Sequence, residues 1–278
     1  MDKTKNIWHH SKKNILGLFL FLAVFCTGFV ISGNIGLYLN LSGFIIVIGG
    51  ITTSLLIGYR TEKILILVKV LFASYSQPTL SPARVVKILV DLSVKNKFNG
   101  ILSLQKEEEE TTIFFLRQAI GLMVDDYRPD QIKEFLNAEM FFFKKRREET
   151  TMLLQTMADI APSFGLVGSV VGLIGMVAGV GDSATLVSTI PIALTSTLYG
   201  IILANMFFYP FAANIRERTS QELLLQFIIT EAIVAIAGDI HPKLLDKKLK
   251  SYLTPSAREK ETISLAQIKE MIEKGSHP

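Results

Sequence analysis

Three consecutive hydroxyls, Thr195, Ser196 and Thr197, fall near the middle of a long uncharged stretch, where polar side chains need a reason to be present. Each can bond back to the carbonyl of the preceding turn, so their place in lipid costs little and close packing alone would account for them. Moving an ion through lipid asks for more, either an ionisable group inside the membrane or a water-lined cavity. From Ile160 to Ile215 the one charged side chain is Asp182, and it separates uncharged runs of 22 and 33 residues. No carboxylate is therefore expected inside a span, and any conduction would need its charged carrier from a partner chain. Other chemistries fail on residue type. The sequence has no phosphate-binding loop and no Cys/His set, and its four histidines all lie outside the predicted spans. The single cysteine, Cys26, sits in an apolar run and excludes a disulfide framework or a cysteine-based zinc site. The chain reads as no enzyme, with no cofactor beyond a transported ion.

Each uncharged run can cross a bilayer, because about 20 helical residues rising ~1.5 Å apiece match the ~30 Å hydrocarbon core. Gly179 and Gly181 before Asp182, with Ser183 after it, predict a tight turn between two helices. Along the first helix Gly165, Gly168, Gly172, Gly175 and Gly179 recur every three or four residues on one face, a seam to which another backbone can close. The second helix is expected to end at Phe207-Phe208-Tyr209-Pro210. Pro162 and Pro210 read as punctuation near the membrane surface, since proline removes a backbone donor and bends or ends a helix.

The frame agrees with this. The chain has 278 residues, 49% of them hydrophobic and 19% charged, with a mean hydropathy of +0.39. That is too apolar for an ordinary soluble domain. Lys3, Lys5, Lys12 and Lys13 precede an apolar run from Ile15 to Ile31, and Leu41 to Tyr59 forms another before Arg60 and Lys63. The positive-inside rule then puts both ends of this helix pair in the cytoplasm, with residues 33–40 as a short external link. Trp8 and His9-His10 read as an interfacial anchor. The net charge of +4 reflects this topology and gives no case for nucleic acid.

Residues 60–157 have normal polarity and read as a helical cytoplasmic domain. Ser81-Pro82 starts a helix whose apolar face is Val85, Ile88, Leu89 and Leu92, and Asn99-Gly100 ends it. Ile101, Leu102 and Leu104 begin another that runs through Glu107 to Glu110. The helical pattern breaks at Arg128-Pro129, and a long helix follows from Asp130 through the charge block at 144–149. After Pro210, residues 219–240 are helical, with Leu223, Leu224, Phe227, Ile228, Ile233 and Ile236 as the buried set. A last amphipathic piece spans Ile263 to Ile272. The expected class is an all-α polytopic membrane protein with four transmembrane helices. Residues 1–59 hold the N-terminus and helices one and two, 60–157 the cytoplasmic domain, 158–210 helices three and four, and 211–278 cytoplasmic C-terminal helices.

The segments PSFGLVGSVVGLIGMV and ALTSTLYGIILANMFFYPFA resemble helices three and four of the A subunit of the bacterial flagellar stator, of the MotA and PomA type within the MotA/TolQ/ExbB proton channel family. ILGLFLFLAV and ISGNIGLYLNLSGFIIVIGG, with its paired Gly49-Gly50, resemble helices one and two, and HPKLLDKKLKSYL the segment after the membrane. The resemblance extends over residues 14–254. It implies an inner-membrane protein with both termini cytoplasmic, coupling proton or sodium flow to torque on a rotor. It implies, too, a single-span B subunit that supplies a membrane aspartate and a peptidoglycan-binding domain, and an assembly of five A subunits around two B subunits.

By that resemblance Ser169 and Thr197, with Ser196 beside the latter, correspond to positions lining the ion path, and Pro162 and Pro210 to prolines that couple ion flow to conformational change. Lys97 corresponds to a basic residue facing the rotor's switch protein, and Gln105 falls where the family carries a glutamate. Glu107 and Glu108 follow closely enough to take the acidic role, with Lys243 as a further contact. A charge run is otherwise a solvated helix face. Two alternatives have a place: an energiser of outer-membrane transport of the ExbB or TolQ type, against which the two N-terminal spans argue, and a membrane scaffold that conducts nothing.

Overall fold

The computed structural model describes residues 23, 24, 27–31, 33, 35–76 and 80–255. Among these residues the fold is all-helical, with no strand. Trp8, His9, His10, Cys26, most of the apolar run from Ile15 to Ile31, and the Ile263 to Ile272 segment lie outside the described residues. Residues 27–31 are helical. A short 3-10 turn, Ile35–Tyr38, leads into α1 (Leu41–Gly58). Asn40 caps α1, its Oδ1 accepting the Gly43 N–H at 2.9 Å, and Tyr59 ends the helix in an extended conformation.

The chain then runs through α2 (Thr61–Ser76), α3 (Pro82–Asn99), a 3-10 turn at Ile101–Leu104, α4 (Gln105–Glu110) and α5 (Phe114–Val124). Gly100 stops α3 with φ +77°, a backbone region that suits glycine. The helix runs through Glu107 to Glu110 and stops there, so the helical pattern expected to continue to Arg128 is interrupted at residues 111–113, where Arg117 donates to the Thr111 carbonyl across the break. The 50-residue helix α6 (Pro129–Ala178) carries Pro162 in its interior, so the boundary expected at 157/158 falls within one continuous helix. A turn at Gly179–Gly181 follows, then α7 (Ser183–Ile202), capped by Asp182, whose carboxylate accepts from the Ala184 N–H at 3.1 Å.

The helix does not end at Pro210. A π-helical segment, Leu203–Phe208, carries it from α7 into α8 (Tyr209–Ala237), and α9 (Pro242–Lys250) follows. The cause lies in the backbone donors. The Tyr209 N–H reaches back five residues to the Ala204 carbonyl, and this widened turn takes up the register change just before Pro210, which has no N–H to offer.

The chain divides into two compact units. One comprises residues 1–78 and 145–219, the other 79–144 and 220–278. In the first, Val47, Ile51 and Leu55 of α1 pack with Leu67 of α2, Leu153, Leu154, Ala158 and Ala161 of α6, Ala204, and Ala212 and Ile215 of α8. In the second, Val85, Val86, Leu89 and Leu92 of α3 pack with Phe115, Leu116, Ile120 and Met123 of α5, Ile132 and Leu136 of α6, and Leu225, Ile228, Ile229, Ile233 and Ile236 of α8. Each such aliphatic side chain contributes about 1.5–3 kcal/mol when fully buried. Of the face expected on α8, Ile228, Ile233 and Ile236 are buried. Leu224 and Phe227 are exposed, Leu223 is half-buried, and Leu225 and Ile229 take the core positions.

Among the described residues three helices are long and apolar enough to cross a membrane, contained in Leu41–Gly58, Pro129–Ala178 and Leu186–Ala237.

Candidate functional site

The glycine seam sets the site, because it decides how close α6 and α7 come. A methyl placed on Gly172 would stand 2.6 Å from the Ala193 nitrogen, and one on Gly168 2.5 Å from Ser196 Cβ. Gly165 faces the backbone of Ser196 and Thr197, and Gly175 faces Thr189. The register runs antiparallel, as the tight turn requires. Gly179 closes the series at the turn, its N–H bonded to the Gly175 carbonyl at 3.1 Å. The same closeness recurs where Gly200 of α7 lies against the Ala161 carbonyl and Pro162 Cα, so Pro162 stands at a point of backbone contact between the two helices. Gly200 was not singled out from the sequence; its adjacency to a mid-helix proline is visible only in three dimensions.

At this separation a hydroxyl from each helix meets its counterpart. Ser169 Oγ lies 2.5 Å from Thr197 Oγ1. Ser169 also donates to the Ala193 carbonyl, and Thr197 Oγ1 lies 3.3 Å from the Gly165 carbonyl. Two hydroxyl protons serve these three contacts: with Ser169 donating to the Ala193 carbonyl, Thr197 supplies the proton between the two hydroxyls, and the Gly165 carbonyl is its longer, second acceptor. Two hydroxyl and two carbonyl oxygens then lie together, which is the hard-oxygen surrounding that a small cation or a hydrated proton takes. Both side chains are half-buried.

Thr195 and Ser196 point elsewhere. Thr195 bonds back to the Pro191 carbonyl at 2.7 Å and Ser196 to the Ile192 carbonyl at 2.6 Å. Ser196 is fully buried, wedged between Gly168 of α6 and Gly43 of α1, where an added methyl would stand 2.6 Å from its Oγ. Of the three hydroxyls, the structure thus brings Ser169 and Thr197 together and turns Ser196 into the packing between three helices. Tyr199 ties the link before α1 to α7: its hydroxyl donates to the Tyr38 carbonyl and accepts the Asn40 N–H at 2.7 Å. Pro210 follows the π-helical segment, beside Tyr209, whose hydroxyl donates to Asp159 Oδ1 at 2.6 Å. Asp159 stands three residues before Pro162, so this bond joins the helices near both prolines.

The charged candidates lie in the second unit. Lys97, in the last turn of α3, pairs with Asp239, its Nζ 2.6 and 2.8 Å from the two carboxylate oxygens. Gln105 is exposed at the start of α4. Glu107 is paired with Lys95, and the Glu108 carboxylate lies against Gly121 of α5. Lys243 is exposed near the start of α9, where its N–H donates to His241 Nδ1 at 3.2 Å. Asp239, which sequence reading passed over, is the residue joined to Lys97. Among the described residues no group of three or more His, Cys, Asp or Glu could hold a metal ion.

Comparison with known proteins bears on this arrangement. Residues 106–226 match the model of the MotA/TolQ/ExbB proton channel family. The chain is 28% identical over 244 residues to the chemotaxis protein PomA of Vibrio alginolyticus, covering 88% of this chain and 96% of that protein. It is 29% identical over 225 residues to motility protein A of Borreliella burgdorferi, covering 81% of this chain and 86% of that one. Two solved structures share the fold. The MotAB structure from C. jejuni has a TM-score of 0.80 at 24% identity, covering 87% of this chain and 96% of that one. The flagellar MotAB stator complex from Bacillus subtilis has a TM-score of 0.81 at 22% identity, covering 88% and 97%.

Proposed function

We propose that this chain, whose residues 106–226 match the MotA/TolQ/ExbB proton channel family, is the A-type stator subunit of a bacterial flagellar motor, a transport component rather than an enzyme, which passes protons or sodium ions and turns their flow into torque. The observation that carries this reading is the Ser169–Thr197 hydroxyl pair, set in a hairpin whose helices hold no carboxylate between Asp159 and Asp182 or between Asp182 and the cytoplasmic end. Hydroxyls and carbonyls can ligate an ion in passing, but they do not take up and release a proton at physiological pH. The titrating group comes from a single-span B subunit, as an aspartate packed against α6 and α7. That subunit's peptidoglycan-binding domain anchors the complex, and several copies of this chain, five by resemblance, surround two copies of it. The protein lies in the inner membrane with both termini cytoplasmic. Pro162 and Pro210 loosen the two helices of the ion path so that occupancy of the site changes helix geometry, and Lys97 with its neighbours meets the rotor's switch protein.

The test is reconstitution. Liposomes holding the purified chain alone are expected to show no flux under an imposed proton or sodium gradient. Liposomes holding it with its B subunit should conduct. Flux through the chain alone would refute the partner-carboxylate mechanism. The coupling ion is read from the same vesicles by imposing each gradient separately.

A further inference from the structure

The rotor-facing pair expected from resemblance has its base at Lys97 and a glutamine, Gln105, where the acid should be. Glu107 and Glu108 are poorer replacements, because Glu107 is paired with Lys95 with its side chain only 31% exposed and Glu108 is packed against Gly121. Resting on the reading of Lys97 as a rotor contact, we propose that Asp239 is the acid of this surface. Lys97 and Asp239 together form a cation and carboxylate side by side that dock a protein surface carrying the complementary carboxylate and cation, namely that of the rotor's switch protein.

The geometry suits that role. Lys97 sits in the last turn of α3, where the negative end of the helix dipole favours a cation. Asp239 follows the end of α8 with φ +57°, a left-handed conformation that aspartate, asparagine and glycine accept better than most residues. Two backbone bonds fix it there: its own N–H reaches the Ile236 carbonyl at 3.0 Å, and the Ile240 N–H reaches the Ala235 carbonyl at 3.1 Å. The pair is open to a partner, with the lysine side chain 42% and the aspartate side chain 74% exposed. An ammonium has three donors and a carboxylate about four lone-pair positions, so each retains capacity for an incoming group while the pair is formed. Exposed ion pairs add little to folding. Exchange with a partner's charges therefore does not require the unit to unfold.

The test uses the full chain assembled with its B subunit in a swimming strain, with stator units counted at the motor by fluorescence and torque measured per unit. Asp239→Asn keeps a residue that accepts the left-handed backbone and removes only the charge. It is expected to lower torque per incorporated unit about two- to fivefold, the range an exposed charge contact supports, without lowering incorporation. Lys97→Glu should lose at least as much torque as Asp239→Asn. If Lys97→Glu fails while Asp239→Asn turns normally, Lys97 is a rotor contact and the acid is elsewhere, which overturns the pair. If both turn normally, the rotor-facing reading of this surface falls, and the pair with it. Lost incorporation by Asp239→Asn, with normal torque from the units that do assemble, assigns Asp239 to folding alone and also overturns it.

Discussion

Ser169 and Thr197 stand hydroxyl to hydroxyl, 2.5 Å apart, on two helices whose separation is fixed by glycines on one side of the contact. Distance in the chain conceals this. One hydroxyl sits between Gly168 and Val170, the other beside two hydroxyls that face different ways, and only the antiparallel register makes them a pair.

Removing either member should raise the ion concentration needed for half-maximal swimming speed by roughly two- to thirteenfold, since one neutral hydrogen-bonding group contributes about 0.5–1.5 kcal/mol. Ser169→Ala and Thr197→Ala are the variants. Thr195→Ala serves as the control, because Thr195 is satisfied by the Pro191 carbonyl of its own helix. Speed against proton and sodium concentration checks the expectation. Equal effects at 169, 195 and 197 would mean that general packing, not the hydroxyl pair, sets the response.

The seam itself gives a stability prediction. Gly172→Ala drives a methyl to 2.6 Å from the Ala193 nitrogen, so the helices must separate. Overpacking of this kind costs about 1–3 kcal/mol. Gly49 has nothing within 4 Å of an added methyl, and there the gain in helix preference over glycine, about 0.5–1 kcal/mol, should dominate. Thermal unfolding of the two variants in detergent should therefore move in opposite directions. A tolerated Gly172→Ala would show that the seam is looser than the contact distances require.

What sequence made legible, and what it did not, divides along a physical line. Periodicity points to one glycine face, because residues without side chains at helical spacing leave one reading; Gly165, Gly168, Gly172 and Gly175 face α7, while Gly179 lies in the turn. The same rule was only half sufficient on α8, finding Ile228, Ile233 and Ile236 but not Leu225 or Ile229, because Leu223, Leu224, Leu225, Phe227, Ile228 and Ile229 are apolar almost without interruption and spacing cannot choose a face. A proline inside a helix loses a bond, so composition alone puts a helix end at Pro210. The π-helical turn before it supplies a way to continue that no composition signal announces. The Lys97–Asp239 pair joins residues 142 apart through the packing of α3 beside the end of α8, and only tertiary structure reveals such a contact.

The final prediction concerns pH and the second unit. Asp91 Oδ1 is buried without a hydrogen-bond partner. Burial pushes the Asp91 carboxyl above its ordinary range, Lys87 and Lys95 pull it back, and Glu107 adds to the rise. With the folded-state pKa above the unfolded one, the native chain holds the Asp91 proton more tightly. Stability from this group is therefore greatest in acid and is lost as pH rises through the folded-state value. Asp91→Asn should accordingly raise the unfolding temperature at neutral pH, by an amount that shrinks as the pH falls. Glu149 supplies the opposite sign within the first unit. A hydrogen bond from Lys63, with the lysine's charge, holds the Glu149 carboxyl below its ordinary range, so its contribution is present at neutral pH and is lost on acidification through the folded-state value. Glu149→Gln should lower the unfolding temperature at neutral pH and become indistinguishable from the parent in acid. Melting curves of the three proteins across a pH series give the answer. An Asp91→Asn variant that melts lower than the parent at neutral pH would mean that Lys87 and Lys95 outweigh burial, and that Asp91 works as an ion-pair partner on α3.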